Sequence, residues 1–141
     1  LLATLFVTIA AYASVAFAPQ IFNDSDTYWH VAAGERMLAT HTILLRDPFS
    51  YTFAGQPWSA HEWLSEIIMA FAYRAGGWSA LALLFAACFA TSAGLLGRYL
   101  SRWFTPARAF VVSILALACM SGSLLARPHL LALPVLIAWT I

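Results

Sequence analysis

Lysine is absent from this 141-residue chain, and seven arginines and six acids supply all of its formal charge. Charged residues make up 9% of the sequence, against about 25% in an ordinary soluble domain. So few charges cannot coat a water-soluble globule of this length, and most of the surface must face something other than water. A net charge of +1, with no basic run or basic helix face of the kind that tracks a nucleic-acid backbone, leaves no nucleic acid expected as a partner. There are only two cysteines, Cys88 and Cys119, in separate apolar segments and without metal-ligand spacing. Both are expected to be small buried residues. The sequence has no glycine-rich phosphate loop and no Ser-His-Asp grouping that spacing recommends, which leaves nucleotide-driven and triad chemistry without a carrier.

What the chain has in excess is apolar residues, 62% of the total. A hydrocarbon core about 30 Å thick takes roughly 20 of them in a helix. Residues 1–21, 78–100 and 107–125 meet that length, and 128–141 reads as the start of a fourth span. The first stretch lacks the basic flank of a signal peptide and is followed by further apolar segments, so it is read as a span. With Leu at position 1 and an unfinished apolar run at the end, the sequence is expected to be a fragment of a longer protein. The expected fold is all-α, a polytopic helical membrane protein forming a single membrane domain over 1–141.

The charges fix an orientation. Nine of the thirteen fall in the segment 22–77, including all six acids, and so do three of the four histidines. The short connection around 101–106 is flanked by Arg98, Arg102 and Arg108 with no acid among them, which the positive-inside rule assigns to the cytoplasm. The 22–77 loop is then extracytoplasmic, and Arg127 and His129 lie on the same side. Every acid and histidine therefore shares one face.

Within the long loop, two interfacial helices are expected, over about 25–39 and 60–75. Ser59 and Glu62 have the capping-box spacing, and Trp63, Ile67, Ala70 and Phe71 recur at the steps of an apolar face. Between them, Arg46 to Pro57 carries the Pro and Gly punctuation of a structured loop. Trp29, Trp58, Trp63, Trp78, Tyr28 and Tyr73 fit an aromatic belt at the interface. In the 78–100 span, Ala86, Ala90 and Gly94, and separately Ala93 and Gly97, repeat as small-xxx-small and favour close helix packing.

Asp24 and Asp26 follow the first span where a helix is expected to begin. Each reads either as a capping acid favoured by the helix dipole or as a catalytic or metal-binding carboxylate, and the two roles are compatible. A helix places His30 four residues beyond Asp26 on one face, so that the carboxylate can orient the imidazole. His61-Glu62 resembles the start of a zinc-protease helix, but the second histidine of that motif would fall at Ser65, and the motif fails. Glu62 retains a capping or a catalytic role, and Glu66 is expected to face solvent. Arg127-Pro128-His129 opens a helix with free N–H groups and a cation, which reads either as an anion site or as a snorkelling arginine beside an interfacial histidine.

The segments Asn23-Asp24-Ser25-Asp26-Thr27-Tyr28-Trp29-His30, Asp47-Pro48-Phe49-Ser50-Tyr51-Thr52, Gly55-Gln56-Pro57-Trp58, His61-Glu62-Trp63-Leu64 and Ala126-Arg127-Pro128-His129 resemble a group of largely uncharacterised bacterial polytopic membrane proteins. That group is similar in outline to the GT-C class of polyprenyl-phosphate-sugar-dependent glycosyltransferases. The resemblance covers most of positions 20 to 130 and implies an enzyme that takes a sugar from a polyprenyl-phosphate carrier at the outer face of the membrane. It implies Asp24 or Asp26 as the general base, and the Arg127 region as the holder of the lipid phosphate. His30, His61, Glu62 and His129 are expected around the substrate, and a divalent metal on Asp24 and Asp26 is compatible with the chemistry. The competing expectation is a transporter or a non-catalytic polytopic membrane scaffold. The spans hold no acid, lysine or histidine near their midpoints, where an ion-coupled transporter usually places them.

Overall fold

The computed structural model describes residues 2–141 and contains five α-helices, α1 Leu2–Ala16, α2 Ser25–Thr40, α3 Trp63–Leu100, α4 Pro106–Met120 and α5 Pro128–Thr140. Single 3-10 turns at Pro19–Phe22 and Ser121–Ser123 lead toward α2 and α5. No strand forms among the described residues. An isolated antiparallel bridge joins Arg46 to Pro57 in the loop between α2 and α3.

α3 and α4 with its following turn are each long and apolar enough to cross a membrane, and α1 and α5 are shorter apolar helices. Pro19 stands where the first apolar stretch changes from α-helix to 3-10 turn, so the expected 1–21 span is realised as a 15-residue helix and a separate turn. α3 holds two of the expected elements, joined across a kink. Gly76 and Gly77 leave helical geometry inside it, with Gly77 at φ 61° and ψ −148°, a region that only glycine enters without strain. The break falls between the expected loop helix and the expected span.

α3 is the centre of the bundle and packs on α1, α2, α4 and α5. Small residues set its distance from α1. Ala86, Ala90, Ala93 and Gly97 are buried, and a side chain at Gly94 or Gly97 would press on Thr8 or Thr4. The core between these helices is built from Val7, Ala11 and Val15 of α1, Leu81, Phe85 and Phe89 of α3, and Leu130 of α5. Neither cysteine is fully buried as expected: Cys88 is half-buried, and Cys119 is exposed on α4, a helix in which only Ala109 and Ser113 are fully covered.

Trp78, next to the break, is the hub of an aromatic cluster with Phe22, Tyr28 and Tyr73, at ring separations of 4.8 to 5.4 Å. A second cluster joins Trp29 to Trp58 and Phe49. It docks the 46–57 loop, whose own closure comes from Asp47. The Asp47 carboxylate accepts the amides of Phe49 and Ser50, and the backbone pairs Asp47 with Gln56 and Gly55.

Candidate functional site

Asp24 opens α2. Its backbone is extended, and its Oδ1 accepts the Asp26 amide at 3.1 Å, satisfying one of the free N–H groups of the first turn. Its Oδ2 accepts a hydrogen bond from Nε of Arg127, which lies 103 positions further along the chain. Arg127 reaches this point because it is the extended residue before α5, with Pro128 at the first helical position. The preceding Ala126 amide donates to the Ile21 carbonyl at 2.8 Å and straps the α5 entry to the α2 entry. Nη2 of the same guanidinium lies 2.9 Å from Oδ2 of Asp26.

One arginine thus bridges both aspartates. Asp24 is nearly covered, its side chain 9% exposed, whereas Asp26 is 42% exposed. The Arg127 hydrogen bond holds the Asp24 carboxyl below the usual carboxylate range. Desolvation opposes that shift, while the Asp26 amide and the charges of Arg127 and His30 reinforce it. The same contact raises Arg127 above its already high ordinary value.

His30 lies one turn beyond Asp26 on the inward face of α2, together with Thr27, Val31 and Gly34. Its partner is Glu66 and not Asp26. Nδ1 stands 3.0 Å from Oε1 of Glu66, and Nε2 stands 3.7 Å from Oε2 of Glu62. Glu66 is buried, 1% exposed, contrary to its expected place in solvent. The reason is Gly34. A β-carbon there would lie 2.0 Å from the Glu66 carbonyl oxygen, so the absence of a side chain lets the two helices approach until Glu66 is enclosed. Glu66, Met69 and Ala70 consequently form the covered face of the first part of α3, and of the expected apolar face Ala70 is covered while Trp63 and Phe71 turn outward.

The capping box is not formed. Glu62 occupies the N-cap position of α3 without a side-chain cap bond, and its carboxylate turns toward His30 instead. Asp24, Asp26, His30, Glu62 and Arg127 therefore gather at the entries of α2, α3 and α5. His61 and His129 stand apart and exposed, with ring nitrogens 3.4 Å from the Ser59 carbonyl and 3.3 Å from the Ser123 carbonyl. The carboxylates of Asp24 and Asp26, expected as cation ligands, are both occupied by Arg127. Among the described residues, the group whose donor atoms converge is His30, Glu62 and Glu66, all within 4.8 Å of one another.

Glu66 and Gly34 are the residues that sequence reasoning passed over. The available signal was spacing. Gly34 falls four residues after His30, and Glu66 four after Glu62, each pair on one helix face.

A largely apolar groove of about 450 Å³ lies between α1, α3 and α4, lined in part by Ala10, Ser14, Ile21, Phe89, Leu117 and Leu124. Ile21 and Leu124 bring its upper end to within three residues of Asp24 and Arg127 in sequence. Comparison of the chain with protein-family models, with curated proteins and with solved structures finds no match.

Proposed function

We propose that this chain is the membrane-embedded part of a glycosyltransferase that moves a sugar from a polyprenyl-phosphate carrier to an acceptor at the outer face of a bacterial inner membrane. The observation that carries the reading is the meeting of Asp24, Asp26 and Arg127, with Asp24 and Arg127 three residues beyond Ile21 and Leu124, which line an apolar groove. In this reading the groove takes the isoprenoid tail and Arg127 takes the phosphate. The two aspartate contacts use Nε and Nη2 of Arg127, and in this reading Nη1 binds a phosphate oxygen. Such a cation stabilises the charge that develops on the leaving phosphate.

The two aspartates then have different roles. Asp24 has both oxygens engaged and a lowered proton affinity, which makes it a poor base and a good anchor for Arg127. Asp26 is the better exposed and becomes the group that accepts the acceptor hydroxyl's proton. A divalent ion on Asp24 and Asp26 belongs to this reading only if Arg127 moves to the phosphate and releases them. The polytopic topology, with the 22–77 loop outside, is part of the same proposal. It is supported by the arginines flanking the α3–α4 connection and by Trp63 and Phe71 turning an apolar face outward, as an interfacial helix does.

The second reading is a transporter or non-catalytic membrane scaffold, favoured by the way Arg127 bridges Asp24 and Asp26 as a structural clamp. Membranes containing the wild type and Asp26→Asn, at matched expression, separate the two when offered a panel of polyprenyl-phosphate sugars. The enzyme reading expects transfer by the wild type and a loss of about 100-fold or more in the variant, the usual contribution of a general base. Absence of carrier binding and of transfer in the wild type favours the scaffold, in which either aspartate contributes on the order of 1 kcal/mol as a cap.

A further inference from the structure

The His30–Glu62–Glu66 cluster takes no part in the reading above. We propose that it is a binding site for a divalent transition ion of the zinc and manganese class, joining α2 to the start of α3. Glu66 is 1% exposed, and its Oε2 has no hydrogen-bond partner among the described residues, so a buried carboxylate oxygen is left needing a positive neighbour.

The imidazole does not satisfy the cluster. If Nδ1–H donates to Oε1 of Glu66, a neutral ring presents the Nε2 lone pair to the Glu62 carboxylate 3.7 Å away, acceptor against acceptor. Protonating the ring removes that conflict but leaves two carboxylates sharing one imidazolium. Arg127, which feels the Glu62 charge more weakly than that of Asp24, bridges Asp24 and Asp26 and touches neither glutamate. A divalent ion neutralises both glutamates while His30 stays neutral and ligates.

The donor set selects the ion. One imidazole nitrogen and two carboxylates suit zinc or manganese, whereas calcium takes about six to eight oxygens. Ligand bonds of about 2.0–2.2 Å to zinc draw the three donors inward from their present spread of up to 4.8 Å. Three protein ligands leave a position open to water. Glu62 is the exposed member, at 36%, and gives the ion its route in.

The test is metal binding by the purified chain in detergent, stripped with chelator and dialysed against zinc, manganese or magnesium salts. The expected result is one zinc or manganese retained per chain, with magnesium not retained. Glu62→Gln and His30→Gln are each expected to weaken retention by about tenfold or more. Cobalt substituted for zinc is expected to give the visible absorption of a low-coordinate site, lost in the same variants. Glu62→Gln lies at the surface of the cluster and keeps the fold, checked by helix content, so its result reads on binding alone. No retention of zinc or manganese by the wild type overturns the proposal, and so does full retention by both variants. Neither outcome depends on sugar transfer.

Discussion

At the scale of single residues, the Asp24–Arg127 pair ties folding to pH. The Asp24 carboxyl is held below its ordinary range by Arg127. A carboxylate whose folded-state affinity for protons is lowered stabilises the fold above its unfolded pKa of about 3.9, and the stabilisation is lost as pH falls through the folded value. Acid unfolding of the detergent-solubilised chain, followed by helix content, is therefore expected to lose an Asp24 contribution below about pH 4. Asp24→Asn is expected to be less stable at neutral pH and to show a flatter acid limb. An acid limb identical to the wild type would mean that Asp24 contributes nothing through ionisation. Arg127→Gln leaves two neighbouring carboxylates without their shared cation, and is expected to destabilise more than Asp24→Asn. Thermal unfolding of the two variants side by side checks that order.

At the scale of elements, two glycines carry the architecture for different reasons. Gly34→Ala forces a β-carbon into the Glu66 carbonyl, so α2 must lift away from α3. The expected cost is about 3 kcal/mol, at the upper end of ordinary overpacking, because the obstacle is backbone. It is measured as a fall in melting temperature together with loss of the His30–Glu66 contact. Gly77→Ala meets no atom within 4 Å but places alanine at φ 61° and ψ −148°, and is expected to cost about 1–3 kcal/mol through strain alone. Gly122→Ala, also with nothing nearby and no positive φ, is the control expected to change little.

These glycines also mark where the sequence was readable. The start of α2 at Ser25, the Asp24 cap and the small-residue face of α3 followed from local patterns, because capping and helix periodicity are decided within a few residues. The burial of Glu66 did not follow, since it depends on which face of α3 meets Gly34, a contact set by tertiary packing. The same limit applies to Glu62. A Ser59–Glu62 box is correct chemistry at that spacing, but α3 begins at Trp63, so Ser59 is not its N-cap and the Glu62 carboxylate lies 3.7 Å from His30 instead. Of the site, residue types and neighbourhood were legible, whereas the partnering of Arg127 with both aspartates was not, because it joins residues about 100 positions apart, 103 in the case of Asp24.

At the scale of the whole molecule, large hydrophobic side chains stand on the outside. Leu2, Phe6, Val111, Leu115, Leu136 and Trp139 are all exposed, distributed over α1, α4 and α5. Contiguous apolar surface of this kind is unstable in water and stable against lipid. The chain is expected to remain with the membrane fraction after alkaline carbonate extraction, and release into the supernatant would contradict the membrane assignment. Topology is checked by placing single cysteines, in a chain lacking Cys88 and Cys119, at Thr52 and at Ser101. A membrane-impermeant maleimide added to intact cells is expected to label Thr52→Cys and to leave Ser101→Cys unlabelled until the membrane is opened. The reverse pattern would turn the acidic face to the cytoplasm.

The strap between Ala126 and Ile21, with the arginine that follows it, has a consequence for biosynthesis. The His30–Glu66 contact joins segments that emerge early from the ribosome, but Asp24 and Asp26 receive their cation only after residue 127 has been made. Until then the nascent chain carries an uncompensated acidic pair at the entry of α2, in the order of events set by N-to-C synthesis. Arg127 is thus the closing element of assembly, and chains stalled before it are expected to be cleared by membrane quality control faster than chains stalled just after α5.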